Sequence, residues 1–282
     1  MFTTLISVSD LGPCLDDARW VVCDCRHDLV DTEAGRRAYR ESHIPGARFV
    51  HLDEDLSAPK TGKNGRHPLP DPDRFARRLG ELGISNASQV VAYDASGGYY
   101  AARLWWMLRW MGHDAVAILD GGWNAWTIAG LAATAAVTHI KPARFVRGAA
   151  RVDSVTAEEI VRDSATTQRR LLDARAPNRF RGENETLDPV AGHIPGAVNR
   201  FFQLNLNSAG GFKSPPELKR EFAATLGSTT PPDVIHYCGS GVTACHNLLA
   251  MEIAGLAGSR LYPGSWSEWC SDSSRPVAIG TE

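Results

Sequence analysis

Short apolar runs alternate with amphipathic stretches along the whole chain. The runs at 20–23, 89–92 and 116–119 are rich in β-branched residues and predict strands. Between them, the segments 72–82 and 100–111 carry apolar residues at helical spacing and predict helices. Strands that alternate with helices are typical of a mainly parallel sheet covered by helices on both faces, so we predict an α/β fold.

Several blocks of sequence occur twice, in the same order, in the two halves of the chain. The paired blocks are Cys-Asp-Cys-Arg at 23–26 with Leu-Asp-Ala-Arg at 172–175, His-Ile-Pro-Gly-Ala at 43–47 and 193–197, Tyr-Asp-Ala-Ser-Gly at 93–97 with Tyr-Cys-Gly-Ser-Gly at 237–241, and Gly-Gly-Trp-Asn-Ala-Trp at 121–126 with Gly-Ser-Trp-Ser-Glu-Trp at 264–269. Repetition of this kind predicts a duplicated domain. We predict an N-terminal domain at 1–135, a linker at 136–153 and a C-terminal domain at 154–282, because the stretch between the copies lacks a strong apolar period.

The composition argues against several classes of protein. The net charge is −2 over 282 residues, which does not favour a nucleic-acid partner. No apolar run approaches the roughly 20 residues that span a bilayer, and residues 1–10 lack the features of a secretion signal. Six cysteines in a chain of this length do not indicate a disulfide framework. We therefore expect a cytoplasmic protein with neither a membrane nor a nucleic-acid partner.

Cys238 lies where a predicted strand passes into a predicted helix at 244–253. Gly239 and Gly241 let the backbone curl so that successive N–H groups point inward, and the start of the helix adds further unpaired N–H groups. A sulfur at this centre is stabilised as the anion, and the thiolate is the nucleophilic form of cysteine. Ligands also gather at the carboxyl ends of parallel strands. The stretch therefore predicts a reactive cysteine rather than a structural one.

Other notable side chains are expected to pack rather than to react. His43 and His193 occur in both copies, including the copy whose loop has no cysteine, so we predict a structural role for both. The same expectation holds for four cysteines and two tryptophans, namely Cys23, Cys25, Cys245, Cys270, Trp266 and Trp269.

The sequence resembles the two-domain rhodanese-type sulfurtransferases over nearly the whole chain. The resemblance rests on the tandem repeat, on the His-Ile-Pro-Gly-Ala block in both halves and on the cysteine loop in the second half alone. The resemblance implies two tandem rhodanese-like domains, each a mainly parallel sheet flanked by helices. The loop Cys-Gly-Ser-Gly-Val-Thr at 238–243 is similar to that of the 3-mercaptopyruvate sulfurtransferases. Thiosulfate sulfurtransferases typically carry basic side chains after the cysteine.

The family resemblance implies transfer of sulfur in two steps. Cys238 takes sulfur from 3-mercaptopyruvate as a persulfide and passes it to cyanide, a thiol or a thioredoxin-like protein. Thiosulfate is the alternative donor. The amides of the loop, from Gly239 through Gly241 and Val242 to Thr243, would hold the anionic persulfide. This chemistry needs neither a metal nor an organic cofactor.

Arginines position the donor carboxylate in members of this family. Arg179 matches the first of them, and its planar guanidinium suits a carboxylate. The mercaptopyruvate enzymes usually have a second arginine nine residues later, but this chain has Asp188 there. The surrounding sequence resembles thiosulfate enzymes instead, which leaves Arg181 as a candidate replacement.

The mercaptopyruvate enzymes also group the loop serine with a histidine and an aspartate from the first domain. The corresponding residues here are Ser240, His67 and Asp53. If the three meet, they would polarise the donor carbonyl or move a proton during C–S cleavage. Asp94 stands at the position of the cysteine in the first copy, and a carboxylate cannot carry a persulfide, so the N-terminal domain is predicted to be non-catalytic.

Three other readings fit less of the sequence. A cysteine phosphatase needs an arginine six residues after the cysteine, where this chain has Ala244. A non-enzymatic rhodanese-like binding module would not require Cys238 in a glycine loop. A zinc site at Cys238, Cys245 and His246 lacks the usual ligand spacing.

Overall fold

A computed structural model describes residues 1–163 and 169–281, and it divides into two compact units. The first unit consists of Met1–Ala58, Pro70–Arg151 and Leu206–Phe212, and the second of Pro59–Leu69, Val152–Asn205 and Lys213–Glu282. The segment Pro59–Leu69 thus packs in the second unit, although it lies within the N-terminal copy of the repeated sequence. The predicted linker 136–153 belongs to the first unit up to Arg151.

The first unit is built on a five-stranded parallel sheet with the order β1-β5-β4-β2-β3. Its strands are β1 (Leu5–Ile6), β2 (Trp20–Asp24), β3 (Arg48–Phe49), β4 (Gln89–Tyr93) and β5 (Val116–Leu119). Its helices are α1 (Val8–Leu11), α2 (Ala34–Glu41), α3 (Pro72–Glu81), α4 (Ala101–Trp110) and α5 (Gly122–Ile128), and a short 3-10 turn covers Gly12–Cys14.

The second unit repeats this arrangement with a parallel sheet of order β7-β6-β8-β9. Its strands are β6 (Arg170–Asp173), β7 (Val198–Asn199), β8 (Val234–Tyr237) and β9 (Arg260–Leu261). Its helices are α6 (Ala157–Asp163), α7 (Pro177–Phe180), α8 (Pro215–Leu226), α9 (Ala244–Ile253) and α10 (Ser265–Trp269), with 3-10 turns at Phe202–Asn205 and Pro231–Asp233. A parallel bridge between Ser154 and Leu261 takes the place that β1 has beside β5.

Local sequence explains where several of these elements begin. Asp71 precedes α3 and its side chain accepts a hydrogen bond from the Arg74 amide at 2.9 Å. Proline follows Asp71 at the first helical position, where a missing N–H costs nothing. Ser214 and Glu217 form a capping box at the start of α8. The α/β class predicted from the pattern of apolar runs is confirmed, with β5 and α9 covering the predicted residues.

Each unit contains the same buried ion pair, at the carboxyl end of β2 in the first unit and of β6 in the second. Arg175 binds Asp173 through two nitrogens, at 3.0 and 2.6 Å, and its guanidinium lies 4.9 Å from the ring centre of Trp266. In the first unit, Arg26, Asp24 and Trp123 make the same contacts. Because the pairing is bidentate and the side chains are buried, these repeated blocks hold the strand end and the final helix together.

The histidines of the two His-Ile-Pro-Gly-Ala blocks have equivalent structural contacts. The ring of His43 stacks on Tyr39 and that of His193 on Phe180, with ring centres 3.9 and 3.7 Å apart. In each case Nδ1 lies within hydrogen-bonding distance of the backbone oxygen of the residue on which the ring stacks. The predicted structural role of both histidines agrees with these contacts.

The residues expected to pack are buried in the two cores. Trp266 and Trp269 lie in the core of the second unit, and Cys23 and Cys25 are buried in the first. Burial raises the pKa of the Cys23 thiol to about 12, so this thiol stays protonated and unreactive at neutral pH. Within the described residues, every helix is too short or too polar to cross a membrane.

Candidate active site

Cys238 follows β8 directly and its side chain lies in a curl of backbone at the carboxyl end of the sheet. Only 2% of the residue is exposed. The amide of Gly241 points at Sγ from 3.2 Å and that of Ser240 from 3.5 Å. Both N–H groups point inward at one sulfur, which is the backbone arrangement that the two glycines predict.

The segment before and within α10 holds this loop in place. The backbone oxygen of Cys238 accepts a hydrogen bond from the Trp266 amide at 3.0 Å, and its N–H donates to Oγ of Ser265 at 3.1 Å. Gly241 has a φ of +76°, and a Cβ at this position would lie 2.3 Å from the carbonyl oxygen of Pro263. The close approach of Pro263 therefore requires glycine at 241.

His67 contributes a side chain to the same loop. Its Nδ1 lies 2.7 Å from Oγ of Ser240, and the two residues are 5% and 7% exposed. The amide of Arg66 donates to Oγ of Ser267 at 3.0 Å, which fixes the segment that carries His67. The structure therefore brings together two of the three residues expected from the resemblance, within the second unit.

Asp53 belongs to the first unit, and its participation stays a prediction from the sequence. One of its carboxylate oxygens lies 3.9 Å from Nε2 of His27, and its amide donates to Nδ1 of His51 at 3.1 Å. His51 Nε2 lies 3.0 Å from the backbone oxygen of Thr32.

Metal-ligating atoms approach one another in two groups of the described residues. Each group has three residues, and His51 is common to both. Both ring nitrogens of His51 already have backbone hydrogen-bond partners, so the residue that the two groups share offers no open lone pair to a metal.

Arg179 lies beside the cysteine loop and is held by a buried carboxylate. Its Nη2 binds Glu185 at 2.7 Å, and the same nitrogen lies 3.3 Å from Asp188. Asp188 also binds Nη1 of Arg66, so one carboxylate joins the two arginines. The side chains of Asp188 and Glu185 are only 3% and 2% exposed.

Electrostatics explain how Glu185 stays charged in this position. Burial raises the pKa of its carboxyl group, but hydrogen bonds from Arg179 and from the amides of Leu187 and Asp188 outweigh burial, and the pKa lies below its ordinary value. Nη1 of Arg175 lies 3.4 Å from Oε2 of the same carboxylate. Glu185 is therefore a fixed anion that orients Arg179.

Arg181 was the expected replacement for the missing second arginine, and its contacts point elsewhere. It binds Glu183 at 2.7 Å, and both side chains are substantially exposed, at 33% and 55%. Sequence reasoning assigns no role to Arg66, the residue that shares Asp188 with Arg179. Its only signal was its position beside His67, since nothing in the pattern links residue 66 to residue 188.

Asp94 occupies the corresponding loop of the first unit. Its two carboxylate oxygens accept hydrogen bonds from four amides, those of Ser96, Gly98, Tyr100 and Ala101, at 2.8 to 3.0 Å. Burial raises the pKa of this carboxyl group, although the four N–H groups oppose the rise. The anion-binding curl of the first unit is thus filled by the protein's own side chain.

Comparison with known proteins agrees with this architecture. The model of the rhodanese-like domain matches residues 9–129 and again 156–272. A Pseudomonas aeruginosa protein named as a probable 3-mercaptopyruvate sulfurtransferase is 47% identical over 98% of both chains. The thiosulfate sulfurtransferase of Bos taurus is 38% identical over 84% of this chain and 80% of its own.

A solved structure extends the comparison to three dimensions. The 3-mercaptopyruvate sulfurtransferase from Leishmania major matches with a TM-score of 0.85 at 28% identity, covering 98% of this chain and 76% of that one. The repeated sheets, the two domain matches and the full-length relatives all agree with the resemblance seen in the sequence. The chain therefore belongs to the rhodanese family, as a sulfurtransferase with two tandem rhodanese domains.

Proposed function

We propose that this protein transfers sulfur from 3-mercaptopyruvate to an acceptor through a persulfide on Cys238. The observation that carries the proposal is the position of Cys238 Sγ, 3.2 Å from the Gly241 amide in a loop whose Ser240 lies 2.7 Å from His67. The 47% identity to a relative named as a probable 3-mercaptopyruvate sulfurtransferase supports the choice of donor.

The first step forms one S–S bond and breaks one C–S bond. The Cys238 thiolate attacks the thiol sulfur of 3-mercaptopyruvate, and the electron pair of the C–S bond passes to carbon to give the enolate of pyruvate. Protonation of that carbon releases pyruvate. The amides of Ser240 and Gly241 hold the sulfur anion during attack and then the persulfide.

The Ser240 and His67 pair supplies a hydrogen-bond donor near the carbon that gains charge. A hydroxyl oriented by an imidazole at 2.7 Å can polarise the donor carbonyl and stabilise the enolate oxygen. Asp53 is proposed to assist His67, on the basis of the sequence resemblance alone. Burial of Ser240 and His67 limits competition from water.

The second step returns Cys238 to its thiolate form. Cyanide or a thiol, including that of a thioredoxin-like protein, attacks the outer sulfur of the persulfide, and the Cys238 thiolate leaves. Both steps use water-soluble reactants that a protein of the cytoplasm would meet, and we propose that location.

Thiosulfate is the second candidate donor, and Asp188 is the observation that favours it. This acidic residue stands where mercaptopyruvate enzymes usually have an arginine, and the bovine relative at 38% identity is a thiosulfate sulfurtransferase. With thiosulfate, attack on the outer sulfur would release sulfite and leave the same persulfide on Cys238.

Parallel steady-state assays with the two donors test the proposal. We expect kcat/KM for cyanide-dependent transfer to be higher with 3-mercaptopyruvate than with thiosulfate. A Cys238→Ser variant should lose sulfur transfer from both donors. A Cys245→Ser variant, which alters a buried cysteine in the first turn of α9, should keep sulfur transfer. Transfer that persists in Cys238→Ser would refute the persulfide mechanism, and a preference for thiosulfate would refute the choice of donor.

A further inference from the structure

We propose that Arg66 is a specificity-determining residue that, together with Arg179, binds the carboxylate of the sulfur donor. The inference deepens the proposed function and rests on it. Arg66, from the segment Pro59–Leu69, takes the role that an arginine at position 188 would have in binding the carboxylate. Asp188 holds Arg66 in place.

The two guanidinium groups meet at the first residue after the nucleophile. A Cβ built on Gly239 would lie 2.5 Å from Nη2 of Arg66 and 3.6 Å from Nη1 of Arg179. Nη2 of Arg179 lies at 3.7 Å, so Arg66 brings one terminal nitrogen and Arg179 both of its terminal nitrogens close to the backbone next to Cys238. A side chain at residue 239 would occupy this space, so glycine there leaves the Arg66 guanidinium room against the loop.

Each arginine has one terminal nitrogen near Gly239 other than those that bind Glu185 and Asp188. Arg66 uses Nη1 for Asp188, and Arg179 uses Nε and Nη2 for Glu185. Nη2 of Arg66 and Nη1 of Arg179 lie close to Gly239. Two N–H-bearing nitrogens from separate arginines match the two oxygens of one carboxylate.

Asp188 fixes this arrangement because it is buried and binds both arginines. Its side chain is 3% exposed, whereas that of Arg66 is 26% exposed and retains access to solvent and ligand. The backbone of Arg66 is fixed as well, since its amide donates to Ser267. Both arginines are therefore oriented before the donor arrives, which reduces the entropy lost on binding.

The position beside Cys238 suits a donor whose carboxylate is close to its reactive sulfur. In 3-mercaptopyruvate only two carbons separate the carboxylate carbon from the sulfur. A carboxylate bound at Gly239 would therefore leave the sulfur close to Sγ, which lies one residue earlier in the loop. The arginines recognise the carboxylate and take no part in breaking the C–S bond.

A donor that lacks only the carboxylate provides the test. Mercaptoacetone keeps the thiol and the adjacent ketone of 3-mercaptopyruvate and replaces the carboxylate by a methyl group. We would measure single-turnover formation of the Cys238 persulfide with each donor, in the full-length protein and in Arg66→Met. The matched control is Arg220→Met, which removes an exposed arginine from α8.

We expect Arg66→Met to lower the apparent second-order rate constant with 3-mercaptopyruvate by roughly 10- to 100-fold, the effect of losing a hydrogen bond between charged groups. The rate with mercaptoacetone should change by less than about threefold. Arg66→Lys keeps the charge but loses the planar fork, so its rate should lie between those of the wild type and Arg66→Met. Arg220→Met should match the wild type with both donors.

A second variant separates recognition from folding. Arg66→Met leaves the buried Asp188 without one partner, so the double variant Arg66→Met with Asp188→Asn removes both charges together and should show the same donor selectivity. If Arg66→Met lowers the rate equally with both donors, or leaves the ratio of the rates with 3-mercaptopyruvate and mercaptoacetone unchanged, the proposed role of Arg66 is overturned. If the wild type forms no persulfide from 3-mercaptopyruvate, the proposed function itself fails, and the two failures are thus distinguishable.

Discussion

Two glycines of the cysteine loop should respond very differently to the same substitution. An alanine Cβ at 241 would lie 2.3 Å from the carbonyl oxygen of Pro263, which is backbone that cannot move without shifting the start of α10. An alanine Cβ at 239 would meet Nη2 of Arg66 at 2.5 Å, which is the far end of a flexible side chain. We therefore expect Gly241→Ala to damage the fold, and Gly239→Ala to damage the binding of the donor.

The magnitudes follow from these contacts and from the backbone conformation. Gly241 has a φ of +76°, where a Cβ costs about 1–2 kcal/mol. The overlap with Pro263 adds about 1–3 kcal/mol for the necessary backbone shift. Gly241→Ala should thus lower the free energy of unfolding by about 2–5 kcal/mol. Gly239 has no positive φ, so Gly239→Ala should change the free energy of unfolding by less than about 1 kcal/mol.

Urea denaturation followed by tryptophan fluorescence measures the stability term, because Trp266 and Trp269 lie in the core of the second unit. Persulfide formation from 3-mercaptopyruvate measures the functional term. We expect the rate of this step to fall by about tenfold in Gly239→Ala as the Arg66 guanidinium is displaced. A Gly241→Ala protein as stable as the wild type, or a Gly239→Ala protein that is strongly destabilised, would refute the reasoning about the loop.

Two further predictions concern buried titratable groups outside the proposed site. Asp94→Asn places an amide NH₂ opposite two of the four backbone N–H donors, so we expect a loss of about 2–5 kcal/mol in the free energy of unfolding. Thermal and urea denaturation measure this loss, and a variant as stable as the wild type would contradict the prediction. Burial, with a smaller contribution from Arg200, lowers the pKa of His236 to about 3. The His236 ring is therefore neutral in the folded protein, and below about pH 6.5 it takes up a proton when the protein unfolds. Between pH 7 and 5 the wild type should therefore lose about 2 kcal/mol more stability than His236→Leu, and parallel pH dependences of the two proteins would show that His236 does not titrate in this way.

Local sequence was sufficient for the class of fold and for the position of the predicted nucleophile, Cys238. Strand β5 and helix α9 cover the predicted residues because their apolar periods and their flanking glycines are local signals. The position of Cys238 at the end of a parallel strand, before a helix, followed from the same signals. The repeated blocks at 172–175 and 193–197 indicated two copies of one domain because each copy must build the same sheet.

The partners of the loop depended on contacts between residues that are far apart in the chain. Ser240 and His67 are 173 residues apart, and Arg66 and Asp188 are 122 apart. No periodicity or propensity connects such positions, since it is the packing of Pro59–Leu69 with the second unit that brings them together.

The replacement of an arginine at 188 by an aspartate illustrates the difference. Read along the chain, Asp188 removes a positive charge from the donor site. In the tertiary structure the same carboxylate binds Arg66 and Arg179 and holds their guanidinium groups beside Gly239. The sequence by itself determined the fold and the family and predicted the reactive cysteine, because these depend on local patterns and repeated blocks. Which charges surround that cysteine was decided only by tertiary packing, because an ion pair depends on distance in space and not on separation along the chain.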